Sequence, residues 1–194
     1  MSFNDIIISM MCMKRCRWVN LDNHLYVDYH DNEWGKPKHS DKELYELLIL
    51  ESFQAGLSWE CVLNKREDFR KVYDNFDIDK VINYDEKKIN ELLNNKKIIR
   101  NKLKIYASIN NSKIFKDIQI EYGSFDKYIW SFTNNKTLYI DSSITSNKLS
   151  DEISNDLKNR GMKFVGSVII YSYLQAIGII NSHDKSCYLY KGDL

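Results

Sequence analysis

Apolar residues along this chain recur at intervals of three and four, the period of a helix face; alternation of the kind a pleated strand needs is scarce. Ser40-Asp41-Lys42-Glu43 has the form of a capping box, in which the serine hydroxyl takes a first-turn amide and the glutamate reaches back. A helix is therefore predicted from there. Leu44, Leu47, Leu48 and Glu51 follow at positions i, i+3, i+4 and i+7, so they share one face of it. The same period predicts helices over 59–73, 87–93, 101–121, 151–160 and 166–180, with Gly161 as a C-terminal stop. Only 137–140 reads as a short extended piece, too little to build a sheet. The fold class predicted is all-α.

Composition sets the scale. A chain of 194 residues, 43% of them hydrophobic, can bury one sizeable core. One proline, seven glycines and no low-complexity stretch leave no linker, so 1–194 is read as a single unit. The longest apolar run, 165–180, is broken by Ser167, Ser172 and Gln175 and is too short to cross a bilayer. Ile6, Ile7 and Ile8 have no basic region ahead of them and no small-residue cleavage site behind. The segment 1–13 is therefore not read as a signal peptide, and the expected compartment is the cytoplasm. Lysines and arginines number 28 against 27 acidic residues, which excludes bulk positive charge as a basis for binding nucleic acid; phosphate contacts need local clusters. The four cysteines, Cys12, Cys16, Cys61 and Cys187, fit thiols or metal ligands better than disulfides in such a compartment.

Three constellations carry candidate chemistry. Glu51 continues an apolar stripe, where a carboxylate is costly unless a partner compensates it; otherwise it swings to water at the helix end. Trp18, Tyr26, Tyr29, Trp34 and Trp59 crowd one part of the chain at spacings no single helix face can hold. They are either ordinary core residues or a stacking pocket for a flat, electron-poor ligand beside that carboxylate. Cys16 and His30 near one end, and His183-x-x-x-Cys187 near the other, offer two sulfurs and two nitrogens for one tetrahedral metal ion. The spacing of four sets the second pair on one side of a helical turn, and Cys12 can stand in for Cys16. Such a closed site is structural, since no position is left for substrate.

The stretches Cys16-Arg17-Trp18-Val19, Tyr29-His30-Asp31-Asn32-Glu33-Trp34-Gly35, Leu50-Glu51 and Gln54-Ala55-Gly56-Leu57-Ser58-Trp59 together resemble the DNA 3-methyladenine glycosylase I family. Lys65-Arg66-Glu67, Ile98-Ile99-Arg100-Asn101-Lys102, Trp130-Ser131-Phe132, Gly161-Met162-Lys163-Phe164-Val165-Gly166, Asn181-Ser182-His183 and Cys187 follow in the family's order. The resemblance covers 16–188, leaving 1–15 as an extension. It implies the helix-hairpin-helix glycosylase architecture, with the hairpin between Glu91 and Lys104 and a structural zinc held by Cys16, His30, His183 and Cys187. That zinc would join the two terminal segments. It implies that Glu51 recognises the flipped base within an enclosure of Trp18, Tyr26, Tyr29, Trp34 and Trp59, and that a loop tipped by Gly56 and Leu57 presses into the duplex.

Lys96, Lys97, Arg100, Lys102 and Lys104 supply the local charge of the hairpin, with Lys97, Arg100 and Lys102 taken as the DNA contacts. Lys97 stands where the family pattern has glycine, so the turn is expected to be built differently. The implied activity is base excision repair: hydrolysis of the N-glycosidic bond of 3-methyladenine in alkylated double-stranded DNA, leaving an abasic site and the free base. A monomer is expected. Asp117, downstream of the hairpin, is a weak candidate for the cation-stabilising aspartate of wider relatives. The rival readings are a glycosylase acting on a different alkylated base, and a zinc-stapled DNA-binding adaptor without catalysis.

Overall fold

The computed structural model describes residues 13–192; Cys12 and most of the N-terminal extension lie outside the described residues. Helices dominate. In chain order they are α1 (His24–Asp28), a π-helical turn (Tyr29–Glu33), α2 (Asp41–Gln54), α3 (Trp59–Leu63), α4 (Arg66–Val72), α5 (Ile78–Val81), α6 (Glu86–Asn94), α7 (Lys102–Tyr122), α8 (Phe125–Ser131), α9 (Lys148–Asn159) and α10 (Ser167–Ala176). The extended piece predicted at 137–140 exists: β1 (Leu138–Tyr139) pairs in parallel with β2 (Ile180–Asn181), Leu138 opposite Ile180.

The capping box foreseen at Ser40 is not made. Ser40 occupies the N-cap position of α2 without a side-chain bond. The neighbouring Asp41 carboxylate instead takes the amides of Phe125 and Asp126 at 2.9 and 2.8 Å and the Gln119 side chain at 2.7 Å, pinning the start of α8 onto α2. Other helices begin on side-chain caps: Asp85 for α6, Asn101 for α7, Ser124 for α8, and a reciprocal Asn147–Ser150 pair for α9. The helix predicted over 59–73 is broken at Asn64–Lys65, and the one predicted over 166–180 ends at Ala176. Gly178 turns the chain there with φ +78°. An added Cβ at Gly178 would meet the Lys36 carbonyl carbon at 2.2 Å, so this close crossing of two backbones admits glycine alone.

α2 runs through the middle of the core, with every residue from Leu44 to Phe53 buried and α7, α8, α10 and α3 packed around it. A helix enclosed on all sides cannot carry a polar face, which is why the single apolar stripe read from the sequence understated its burial. Three hydroxyls that enter this core are satisfied: Tyr45 meets Ser112 at 2.6 Å, Tyr73 meets Ser108 at 3.1 Å, and Tyr173 donates to the Leu44 carbonyl at 3.1 Å. Among the described residues no helix is long and apolar enough to cross a membrane.

Candidate active site

Glu51 lies three residues before the end of α2 and is 2% exposed. One face of the cavity it reaches, about 550 Å³, is lined by Trp18, Tyr26, Tyr29, Trp34 and Trp59, the aromatic set singled out from the sequence. That volume lies in the range of small-molecule sites. The rings form two walls. Trp18 lies 5.1 Å from Tyr26 and 4.9 Å from Trp34, edge-on to the latter, while Tyr29 leans on Trp59 at 5.2 Å. Tyr29 and His30 are neighbours on the π-helical turn. Consecutive residues of this turn point to different sides, so Tyr29 lines the cavity while His30 belongs to a separate cluster.

Buried polar atoms are nearly always paired, and the exceptions mark places where a ligand supplies the partner. Glu51 Oε2, Gln54 Oε1 and Trp59 Nε1 are buried without a partner, and all three residues line this cavity. Burial pushes the Glu51 carboxyl well above the ordinary carboxylate range, since no cation stands near to hold its charge. Burial, together with the proximity of Glu60 and Glu51, also pushes the Tyr26 phenol up to about 12. The cavity therefore offers flat aromatic surfaces, an unpartnered carboxyl acceptor and an amide, a combination suited to a flat heterocycle bearing N–H donors.

Behind the Trp18–Trp34 wall stands a second cluster. Ligand atoms of Cys16, His30, His183 and Cys187 all lie within 4.8 Å of one another, and all four residues are buried. The Nδ1 of His30 bonds Asp31 at 2.7 Å and that of His183 bonds Asn181 at 2.8 Å, so each ring turns its Nε2 toward the two sulfurs. His183 Nε2 has no hydrogen-bond partner. An orphaned nitrogen beside two thiols, with both imidazoles oriented from behind, fits a metal ion of borderline softness. Segment 183–187 does not form the helical turn expected; a tight turn closed by the Cys187 amide on the Asp184 carbonyl, at 2.7 Å, brings its histidine and cysteine together. The rings of Trp34 and His183 lie 4.7 Å apart and those of Trp18 and His30 5.3 Å apart, so cluster and cavity share a wall.

The family model described as methyladenine glycosylase matches residues 18–190. The chain belongs to the methyladenine glycosylase family. It is 41% identical over 186 residues to DNA-3-methyladenine glycosylase 1 of Escherichia coli, covering 93% of this chain and 99% of that one. It is 36% identical over 178 residues to the DNA-3-methyladenine glycosylase of Haemophilus influenzae, covering 89% of this chain and 96% of that one. A crystal structure of a 3-methyladenine DNA glycosylase I superposes with a TM-score of 0.87 at 38% identity, covering 91% of this chain and all of that chain (100%). A structure from Staphylococcus aureus, described as the basis of 3-methyladenine recognition by its glycosylase I, gives 0.86 at 34% identity, covering 91% and 96%.

For a member of this family the remaining named residues fall as follows. Gly56 and Leu57 form the exposed tip of the loop between α2 and α3, Gly56 with φ +76° and Leu57 42% exposed. Lys97 and Arg100 are exposed on the connection between α6 and α7, and Lys102 is exposed as the first residue of α7. Lys97 is accommodated without left-handed backbone, because the Asn95 side chain accepts its amide at 2.9 Å and shapes the turn. Lys104, counted with the basic cluster from the sequence, is turned inward and buried. Asp117 is exposed on α7 and lines no part of the cavity.

Sequence reasoning missed two features. Gln54 was read as the start of the loop, although its position three after Glu51 already set it on the same helix face. Arg66 appeared only within a motif. Its guanidinium joins Glu33 of the π-helical turn at 2.7 Å and Glu46 of α2 at 2.5 Å, tying the start of α4 to the elements that carry Tyr29 and Glu51.

Proposed function

We infer that this protein is a DNA repair hydrolase that excises 3-methyladenine from alkylated DNA by cleaving its N-glycosidic bond. The observation that carries the reading is Glu51, buried and unpartnered in an aromatic cavity, within a family whose close relatives bear that activity. A scaffold gains nothing from a desolvated carboxyl, whereas a base pocket needs one acceptor for the exocyclic N–H. The base must leave the stack to reach it.

Methylation at N3 makes the base cationic and a good leaving group. Water adds to the sugar carbon, the base departs neutral with the bond's electron pair, and the water's surplus proton passes to solvent. Stacking by Trp18, Trp34, Tyr29 and Trp59, with a hydrogen bond to Glu51, holds the departing base; no general base is required of Glu51. Cys16, His30, His183 and Cys187 suit a structural zinc, which would fix the two terminal segments and take no part in the bond cleavage. The exposed cations of the α6–α7 connection bind backbone phosphate without reading sequence, and the Gly56–Leu57 tip enters the gap left by the base. The decisive experiment is incubation with methylated duplex DNA followed by identification of the freed base. Release of 3-methyladenine is expected; release of a different alkylated base, or of none, would replace this reading by one of its rivals.

A further inference from the structure

Lys104 is the third residue of α7, directly after the α6–α7 connection, and is 6% exposed. Its ammonium donates to the Phe53 carbonyl at 2.7 Å and the Ala55 carbonyl at 2.5 Å. These carbonyls belong to the last turn of α2 and the first residue of the 55–58 loop. The last turn of α2 contains no basic residue of its own, so the negative end of the helix carrying Glu51 is met from outside by this one cation. Through its backbone the same residue is fastened to the connection, since the Asn101 side chain accepts the Lys104 amide at 3.2 Å. At its other end the loop is held by Ser58, whose hydroxyl caps α3 at the Cys61 amide, and between the two anchors Gly56 and Leu57 form an exposed tip closed by one turn bond, the Leu57 amide donating to the Gln54 carbonyl at 2.6 Å.

A buried ammonium hydrogen-bonded to two carbonyls and lying 5.8 Å from the Phe164 ring centroid is an expensive way to end a helix, because burying a cation without a counter-charge costs more than a glycine or asparagine cap. Burial does lower its pKa accordingly. What this lysine provides that a local cap cannot is reach. It fixes the loop to the element that meets phosphate, so the two surfaces bearing on one duplex keep a set spacing.

We propose that Lys104 is a positioning residue for excision from duplex DNA, holding the 55–58 loop in register with the α6–α7 connection. The proposal rests on the reading of that loop as the segment that enters the duplex. It concerns the duplex alone and not the base cavity, which Lys104 does not line.

The test uses the full chain and compares Lys104→Met, Lys104→Arg and Leu57→Ala with the unaltered protein. Three quantities are measured below the unfolding temperature of each: single-turnover excision from methylated duplex, free 3-methyladenine affinity by calorimetry, and loop entry. The last is read from the fluorescence of 2-aminopurine set opposite a tetrahydrofuran abasic analogue. Lys104→Met should lower single-turnover excision about tenfold or more and remove most of the fluorescence change, because small displacements of positioning groups carry large rate penalties. Free-base affinity should stay within about twofold. Lys104→Arg, which can still donate to both carbonyls, should restore part of both duplex signals. If Lys104→Met does not fold, Lys104→Gln, a shorter neutral donor, carries the same comparison.

Unchanged excision, or a parallel loss of free-base affinity, overturns the proposal in favour of a purely structural cap. If Leu57→Ala leaves the fluorescence change intact, the loop does not enter the duplex and the underlying reading falls with it. If Leu57→Ala abolishes the change while Lys104→Met does not, that reading stands and the role of Lys104 is refuted.

Discussion

Replacing Glu51 by Gln removes the ionisable group from the cavity while keeping its shape, and the structure fixes what should follow. The side chain is 2% exposed with one oxygen unpartnered, so it makes no contact with an undamaged duplex and little to the core that Gln cannot reproduce. A base N–H donated to Glu51 favours its ionised form, and a hydrogen bond involving a charged group contributes about 1.5–3 kcal/mol, so free 3-methyladenine should bind up to roughly ten- to a hundredfold more weakly to Glu51→Gln. Stability should move in the opposite sense. Because burial raises the carboxyl above its ordinary value of 4.5, the folded protein holds a proton that the unfolded chain has already released. The unaltered protein is therefore at its strongest, with respect to this group, below the ordinary carboxylate range. It loses stability as pH rises from there until Glu51 ionises in the folded state, about 1.4 kcal/mol for each unit of displacement.

Glutamine titrates nowhere, so the stability difference in its favour should grow as pH rises above the ordinary carboxylate range and level off once Glu51 ionises in the folded state. Calorimetric titration with the free base, thermal unfolding across that pH range and excision from methylated DNA measure the three effects. A Glu51→Gln protein with normal base affinity and normal excision would sink the pocket assignment. A stability difference that does not change with pH would show that the carboxyl is ionised in the fold, partnered in a way the cavity does not reveal.

Freshly prepared protein should contain about one zinc ion per chain, and Cys187→Ser should remove it, with metal analysis as the readout. Chelation should lower the thermal midpoint before it alters bond cleavage; full zinc retention in the Cys187 variant would refute the ligand set. Neutralising Lys97, Arg100 and Lys102 together should weaken binding to any duplex and reduce the slope of log affinity against log salt by up to about 2.7; an unchanged slope places the phosphate contacts elsewhere. Gly178→Ala forces a Cβ to within 2.2 Å of the Lys36 backbone at a left-handed φ, so the 34–38 segment must shift. Both the thermal midpoint and free-base affinity should fall, the second because Trp34 stands at the head of that segment, and a variant that loses neither contradicts the close crossing.

Much of the fold and of the site was legible because it rests on local chemistry. Helical period, the Gly161 stop and the short extended piece at 137–140 are properties of neighbouring residues, and they reappear as α2, α6, α7, α9 and β1. The cavity residues were legible because tryptophan, tyrosine and a carboxylate on an apolar face are conspicuous in any sequence. The features that escaped depend on chain segments far apart. Asp41 caps α8 across more than eighty positions, so no reading of residues 40–43 could show that the helix start there is finished by a different element. The break at Asn64–Lys65 leaves Arg66 to begin α4, where it bridges Glu33 and Glu46; a straight helix over 59–73 gives no reason to bring those two acids together.

Lys102, Leu103 and Lys104 show the same limit in three adjacent residues and connect it to function. A hydrophobicity rule buries the leucine and exposes both lysines. The structure instead leaves Leu103 72% exposed and Lys104 6% exposed, while Lys102 is at the surface as expected. Helix geometry decides the outcome, because the third position of α7 points at the open end of α2 and the second does not. An apolar residue turned to water beside the α6–α7 connection, next to a cation buried against carbonyls, costs stability at both positions. Local rules broken in adjacent residues without a packing gain are the signature of a site shaped by something other than stability. Here the two inversions lie on the short segment that links the α6–α7 connection to the helix carrying Glu51, so under the proposed function the α6–α7 junction is the place where hold on the duplex and hold on the base should be separable by mutation.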